Sequence, residues 1–218
     1  MFHKVPRSAA LVITSLALVA CQGGAPTASP STPTNASESP PAAAVLWPAP
    51  PDPLERTVAA GLKPEPKEHL ATHAHAHLDV FVDGKPITVP AGIGINVDDP
   101  AVRRFDEPDG SVGYGDIKVC AQPCISPLHT HDPDGIIHTE SASSEPTTLG
   151  QFFIEWGVAL TDSCVGEYCS PKTIAFYVNG EPYSGDPGAI ELSDRKEIAI
   201  VIGTPPAQIP STADFSGA

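Results

Sequence analysis

The chain has 218 residues and a formal net charge of −14, with 12 basic side chains against 26 acidic ones. A surface of this sign repels the phosphates of nucleic acids and of anionic lipids, so no nucleic-acid partner is expected. An acidic surface is compatible with cation binding, although its commonest role is to keep a protein soluble.

The first 20 residues have the organisation of a signal peptide. Lys4 and Arg7 form a basic start, and an apolar run follows over 9–20 that is too short to span a membrane. The run ends in Leu-Val-Ala before Cys21, which resembles the lipobox of bacterial lipoproteins. The resemblance implies that the chain is exported and cleaved before Cys21. Lipid attached to Cys21 would then anchor it to a bacterial membrane, facing the periplasm or the cell exterior. An ordinary signal peptide followed by an unrelated cysteine is the alternative.

The remainder divides into a tether, one domain and a tail. Pro, Ala, Ser and Thr dominate the segment that follows Cys21, so residues 21–53 are predicted to be a disordered, extended tether. Residues 54–205 are enough for a single globular domain with its own core. Residues 206–218 form the C-terminal tail.

Four cysteines remain in the domain, and an even number in an exported domain indicates two disulfides. Their short spacing in the sequence favours the local pairs Cys120–Cys124 and Cys164–Cys169 over the other two pairings. Cys124 is also close enough in sequence to His129 to be an alternative metal ligand.

The first half of the domain is predicted to contain a helix and a β-hairpin. Asp52-Pro53 begins the helical pattern ERTVAAGL, and Gly61 ends it. Strict alternation over 73–82 predicts a strand. Asp83-Gly84 is a hairpin turn signal, and 86–95 is the returning strand. One face of the first strand carries His73, His75, His77, Asp79 and Phe81.

The second half is predicted to contain a loop, a hairpin, a helix and a last pair of strand segments. Residues 96–119 are polar and rich in turn signals, which predicts a long loop. Thr148 caps the helix LGQFFIEWGVAL, whose aromatic residues are expected in the core. KTIAFYVNGEPYSG and EIAIVIG then form strands. The predicted fold class is α+β, with an antiparallel or mixed sheet of hairpins and one main amphipathic helix, in a β-grasp-like arrangement.

The segment HTHDPDGIIHTE at 129–140 carries the strongest chemical signal. If 132–135 form a four-residue loop, His129 lies opposite His138, and alternation brings three imidazoles to one face. Opposed Cβ atoms are about 4.5–5.5 Å apart, so these imidazoles can converge on one ion at nitrogen–metal distances near 2.0–2.1 Å. The predicted ligands are His129, His131 and His138, with Glu140 as a further ligand or as the acceptor of an imidazole N–H.

HAHAH at 73–77 forms a second cluster, so that six of the eight histidines fall in two period-two groups. His73 and His77 would be about 13 Å apart on a strand, so one ion cannot bind all three. His75 and His77 are predicted to complete or adjoin the metal site, and His73 is an additional candidate. The alternative is a solvated, pH-sensing histidine surface on a non-metal interaction module.

The residue types favour Cu(II) or Zn(II) as the metal. Imidazole suits both ions, and the chain's single methionine is the initiator, which disfavours a Cu(I) thioether site. An oxidising location and the higher intrinsic affinity of copper favour Cu(II). The leading hypothesis is a membrane-tethered, extracytoplasmic metal-binding protein. The rival is a metal-dependent hydrolase or oxidoreductase that uses the same site, with Glu140 as general base.

Three segments also resemble an uncharacterised group of exported bacterial and archaeal proteins. HAHAHLDVFVDGKPITVPAGIGI, LHTHDPDGIIHTES and TLGQFFIEWG follow the pattern HxHxHL…LHTHDxxGxIHxE…LGxFFxxWG across nearly all of 70–202. The resemblance implies one domain in which both histidine clusters are integral, and it implies no particular reaction.

Overall fold

The structure is a computed structural model, and it describes residues 45–216. The predicted signal peptide, Cys21 and most of the predicted tether lie outside these residues. Along the chain the elements are α1 (Pro53–Ala59), β1 (Thr72–Val82), β2 (Lys85–Ile87), β3 (Arg103–Asp106), β4 (Val112–Gly115), β5 (Leu128–His129), β6 (Ile136–Ser141), α2 (Leu149–Trp156), β7 (Cys164–Val165), β8 (Tyr168–Cys169), β9 (Ile174–Val178), β10 (Glu181–Tyr183), a 3₁₀ turn (Pro187–Ala189) and β11 (Lys196–Ile202).

A mixed sheet of seven strands organises residues 45–216, in the order β10-β9-β11-β1-β6-β5, with β2 also paired to β1. The central strands β1 and β11 run parallel, and the other pairs in this sheet are antiparallel. One edge of β1 has two partners, because residues 72–77 pair with β6 and residues 80–82 pair with β2. The predicted α+β class is confirmed, and the order β2-β1-β11-β9 around a parallel pair fits the expected β-grasp-like arrangement.

Helix α2 covers one face of this sheet and forms the main core with it. Phe152, Phe153 and Trp156 are at most 2% exposed, in keeping with the prediction. Thr148 begins the helix through a capping box with Gln151. The helix ends at Trp156, four residues earlier than predicted, because the glycine that follows adopts a left-handed conformation.

The two hairpin turns and both disulfides were predicted correctly. Asp83-Gly84 and Asn179-Gly180 have positive φ angles and join antiparallel strands. The disulfides are Cys120–Cys124 and Cys164–Cys169. Cys124 is therefore committed to a disulfide, which removes it as an alternative metal ligand.

Three segments differ from the prediction. The returning strand pairs only over 85–87, because the chain then turns toward the residues that follow β5. There the amide of Gly92 donates to the Thr130 carbonyl. The predicted loop 96–119 contains the hairpin β3–β4, whose four-residue strands are too short to produce a clear alternation. Trp47 lies within the predicted tether, but its carbonyl accepts a hydrogen bond from Trp156 and its ring packs against that residue.

The described residues include no helix of the length and apolarity that a bilayer crossing requires.

Candidate metal centre

The two histidine clusters meet on three neighbouring strands. Strand β6 lies between β5 and β1, and it places His138 directly opposite His129 on one side and opposite His75 on the other. Glu140 lies opposite His73 in the same ladder. The predicted opposition of His129 and His138 is thus confirmed, and the pairing of β1 with β6 joins HAHAH to the hairpin.

His129 and His131 present lone pairs to each other. The Nδ1 atom of His129 lies 2.9 Å from the carbonyl oxygen of Ser126, and that of His131 lies 2.6 Å from the carbonyl oxygen of Tyr114. A carbonyl oxygen can only accept, so each Nδ1 carries the proton and each neutral ring has its lone pair on Nε2. The two Nε2 atoms are 3.1 Å apart. Facing lone pairs at this distance repel unless a cation or a proton lies between them.

Burial disfavours the proton as the shared cation. The His129 side chain is wholly buried, and this burial holds its pKa well below the usual range. Burial, together with the neighbouring His138 ring, also lowers the pKa of His131. Both rings are therefore held in the neutral form that coordinates metals.

His138 and Glu140 complete a set of four donors around this pair. One ligand atom from each of His129, His131, His138 and Glu140 lies within 4.8 Å of all the others. Among the residues that the structure describes, buried His138 Nδ1 and Glu140 Oε2 have no hydrogen-bond partner. An unsatisfied buried polar atom costs about 1–3 kcal/mol, and a bound metal ion would satisfy such atoms.

His73 and His75 form a second pair beside the first set. Their Nε2 atoms are also 3.1 Å apart. The His75 ring packs against the His138 ring with centroids 4.6 Å apart, and burial, followed by the charge of His138, lowers the pKa of His75. His73 Nε2 lies 3.4 Å from Glu140 Oε1. The predicted ligand His75 and the additional candidate His73 therefore adjoin the hairpin cluster.

His77 has a different environment, although it was predicted to complete or adjoin the site. Its Nδ1 lies 2.9 Å from Glu197 Oε2, and its Nε2 lies 2.9 Å from the carbonyl oxygen of Asp134. Burial alone would lower the pKa of His77, but the carboxylates of Glu197 and Asp79 raise it. Both ring nitrogens already have partners, so the structure places His77 beside the imidazole cluster and not within it.

Glu68 is a member of the site that sequence reasoning missed. Its Oε1 lies 3.5 Å from His131 Nε2, and burial, reinforced by the charge of Glu140, raises its pKa to about 7. Glu68 comes from a segment that resembles a linker. Backbone hydrogen bonds from Cys120 to Pro66 and from Cys124 to Glu65 hold this segment against the disulfide loop that precedes the hairpin. No local sequence pattern indicates this long-range contact.

Glu155 supports His129 from behind. It lies on α2, fully buried, and its carboxyl group contacts the hydroxyls of Ser126 and Thr57. Burial raises the pKa of Glu155 to about 8, so this carboxyl is neutral at pH 7. The carbonyl of Ser126 in turn accepts a hydrogen bond from His129. Glu155 therefore positions His129 through Ser126. A sequence signal existed, because Glu155 falls three residues after Phe152 on the apolar stripe of α2.

An open cleft of about 530 Å³ leads to the cluster. His131, His138 and Glu140 line its inner part, and Phe105 and Tyr114 from the β3–β4 hairpin form part of its wall. The centre is therefore reachable by a small ion or molecule from outside.

No family model, no curated protein and no solved structure matches this chain.

Proposed function

We propose that the protein binds a transition metal ion, Cu(II) or Zn(II), as an extracytoplasmic domain tethered to the membrane through lipidated Cys21. The observation that carries the proposal is the 3.1 Å separation of the His129 and His131 Nε2 atoms, each held with its lone pair inward. For metal–nitrogen bonds near 2.0–2.1 Å, neighbouring ligand atoms are about 2.9 Å apart in a square and about 3.4 Å apart in a tetrahedron. The observed spacing lies between these values.

His129, His131 and His138 would supply nitrogen ligands, and Glu140 would supply an oxygen ligand. Two features of the pair support this assignment. Carbonyl partners at both Nδ1 atoms fix the ring orientations, as in known metal sites, and full burial keeps water from the His129 ring. His138 Nδ1 and Glu140 Oε2 have no hydrogen-bond partner among residues 45–216, which is consistent with coordination. Capture or storage of the ion is the simplest role that such a centre supports.

The test is direct metal binding by the purified full-length chain. We expect Cu(II) or Zn(II) to remain bound through desalting and to raise the thermal unfolding temperature, since a ligand that binds only the folded state stabilises it. Cys21→Ala and His69→Ala are matched controls, because they remove a thiol and an imidazole outside the cluster; neither should reduce this binding. Absence of bound metal and of a thermal shift with both ions would contradict the proposal.

The tether is tested separately by fractionation. The full-length chain should sediment with membranes and incorporate a labelled fatty acid, and Cys21→Ala should abolish both properties. A membrane-bound Cys21→Ala chain would contradict the lipid anchor while leaving metal binding untouched.

The cleft favours a second candidate function, a metal-dependent hydrolase or oxidoreductase with Glu140 as general base. Catalytic metal sites keep an open coordination position, and the 530 Å³ cleft gives access to one. If such a position exists, azide should shift the visible spectrum of the Cu(II)-loaded protein. An unchanged spectrum at saturating azide would favour the storage role.

A further inference from the structure

We infer that the centre holds two metal ions, with the Glu140 carboxylate shared between them. The inference rests on the proposed metal-binding function and adds a second ion, bound by His73 and His75. It explains why two separate histidine clusters converge on one carboxylate.

The arrangement repeats on the two sides of β6. On one side, His129 and His131 bring their Nε2 atoms to 3.1 Å. On the other side, His73 and His75 bring theirs to the same separation of 3.1 Å. In each pair, one ligand atom from each histidine also lies within 4.8 Å of its partner's and of a Glu140 carboxylate oxygen. Glu140 is the residue common to both donor sets.

One ion cannot use both pairs. His73 and His75 stand on β1, and His129 and His131 stand on β5 and the residues that follow it. Strand β6 separates β1 from β5, which are therefore about 10 Å apart at the backbone. The His138 ring lies between the two pairs, with its centroid 4.6 Å from that of His75 and 4.5 Å from that of His131. The five imidazoles and the carboxylate also exceed the four ligands that are usual for Zn(II). Two ions, one on each side of Glu140, use every donor.

The two carboxylate oxygens of Glu140 have separate environments. Oε1 lies 3.4 Å from His73 Nε2 and 3.7 Å from His138 Nδ1, whereas Oε2 is buried and has no partner among residues 45–216. Glu140 is only 8% exposed, so water does not readily satisfy the free oxygen. A carboxylate that bridges two ions about 3.5–4 Å apart would use both oxygens.

Protein carboxylates would compensate part of the charge of two divalent ions. Glu68 supplies a second carboxylate 3.5 Å from His131 Nε2. Together with Glu140, it offsets part of the charge of two divalent ions in a half-buried site. The remaining positive charge is open to the cleft, where hydroxide or another small anion can neutralise it.

The experiment counts copper ions and measures their magnetic coupling in the full-length chain. After loading with Cu(II) and desalting, elemental analysis should give two ions per chain. Electron paramagnetic resonance should show a coupled pair, with a half-field transition and fewer detectable spins than copper atoms. The double variant His73→Ala/His75→Ala removes two residues at the outer end of β1. It should keep one ion, with an uncoupled spectrum.

Matched variants separate the explanations. His69→Ala removes an imidazole outside the cluster and should keep two coupled ions, as should Cys21→Ala. Glu140→Gln should lose the coupling, and circular dichroism with a thermal melt would establish that the variant is folded. His73 is exposed and His75 is half-buried, so the same two measurements would establish that the double variant is folded.

The outcomes are distinguishable. A wild-type chain that binds no copper overturns the proposed function itself. One ion in both the wild type and the double variant overturns the second site while metal binding stands. Two ions without coupling overturn the shared carboxylate.

Discussion

Two neighbouring positions on strand β1 carry histidines on the same face but give them opposite chemistry. His75 packs against the ring of His138, and burial lowers its pKa. His77, two residues later, contacts Glu197 and a backbone carbonyl, and its pKa is raised despite its burial. The neighbouring strands create this difference, because β6 supplies His138 beside one histidine and β11 supplies Glu197 beside the other. Alternation along the strand determines the face on which a histidine lies. The residue opposite that histidine on the neighbouring strand determines whether a ring nitrogen is available to bind metal.

The largest expected effect on metal affinity comes from His131→Ala. Changes behind a metal ligand cost about 10–100-fold in affinity, so loss of the ligand itself should cost at least about 100-fold. Competition with a chelator of known affinity measures the change. His69→Ala is the control and should stay within about threefold of wild type. A loss smaller than about tenfold for His131→Ala would place the metal elsewhere.

Glu68→Gln should have an intermediate effect. It removes a carboxyl group 3.5 Å from His131 Nε2, which a bound cation would hold in its charged form, while it keeps the shape of the side chain. In a partly buried site this Coulombic attraction exceeds that between exposed charges, and we expect affinity for a divalent ion to fall by about tenfold. Glu145→Gln neutralises an exposed glutamate outside the cluster and should have little effect. If the two variants lost equal metal affinity, the effect of Glu68 would come from the net charge of the protein and not from its position beside His131.

The sequence was sufficient to predict the register of the hairpin but not the junction of the clusters. Loop length and alternation together oppose His129 to His138, and both are local properties. The pairing of His75 with His138 depends on β1 meeting β6, which are more than fifty residues apart in the chain. Periodicity defines the face of each strand and leaves its neighbour undefined. The same reason explains why Glu68 and Glu197, which arrive from distant segments, had no local signal.

Glu155→Gln should change metal affinity by less than about threefold, since glutamine reproduces the neutral carboxyl that contacts Ser126. Its effect should appear in stability. The folded pKa of Glu155 is raised to about 8 from an ordinary value of 4.5. The folded state therefore binds the proton more tightly, and the wild-type free energy of unfolding falls by up to about 1.4 kcal/mol per pH unit across this window.

Chemical denaturation of metal-free protein between pH 5 and pH 8 measures this slope. Glu155→Gln lacks the titrating group, so its stability relative to wild type should increase steadily with pH. A constant difference between the two proteins would show that Glu155 is ionised in the folded state.

His77→Gln should have the smallest effect on affinity, within about twofold, because both nitrogens of His77 serve Glu197 and the Asp134 carbonyl. It should instead destabilise the metal-free protein by about 2 kcal/mol, since Glu197 would lose its charged partner in a buried setting. The raised pKa of His77 determines the pH range in which His77 stabilises the fold. This stabilisation is fully present below the ordinary pKa of 6.5 and is lost as pH rises through the higher folded pKa. The gap in unfolding free energy between wild type and variant should therefore be widest in acid and shrink in alkali. A gap that widens with pH would mean that the pKa of His77 is lowered, as that of His75 is. A large loss of metal affinity would mean that His77 is a metal ligand.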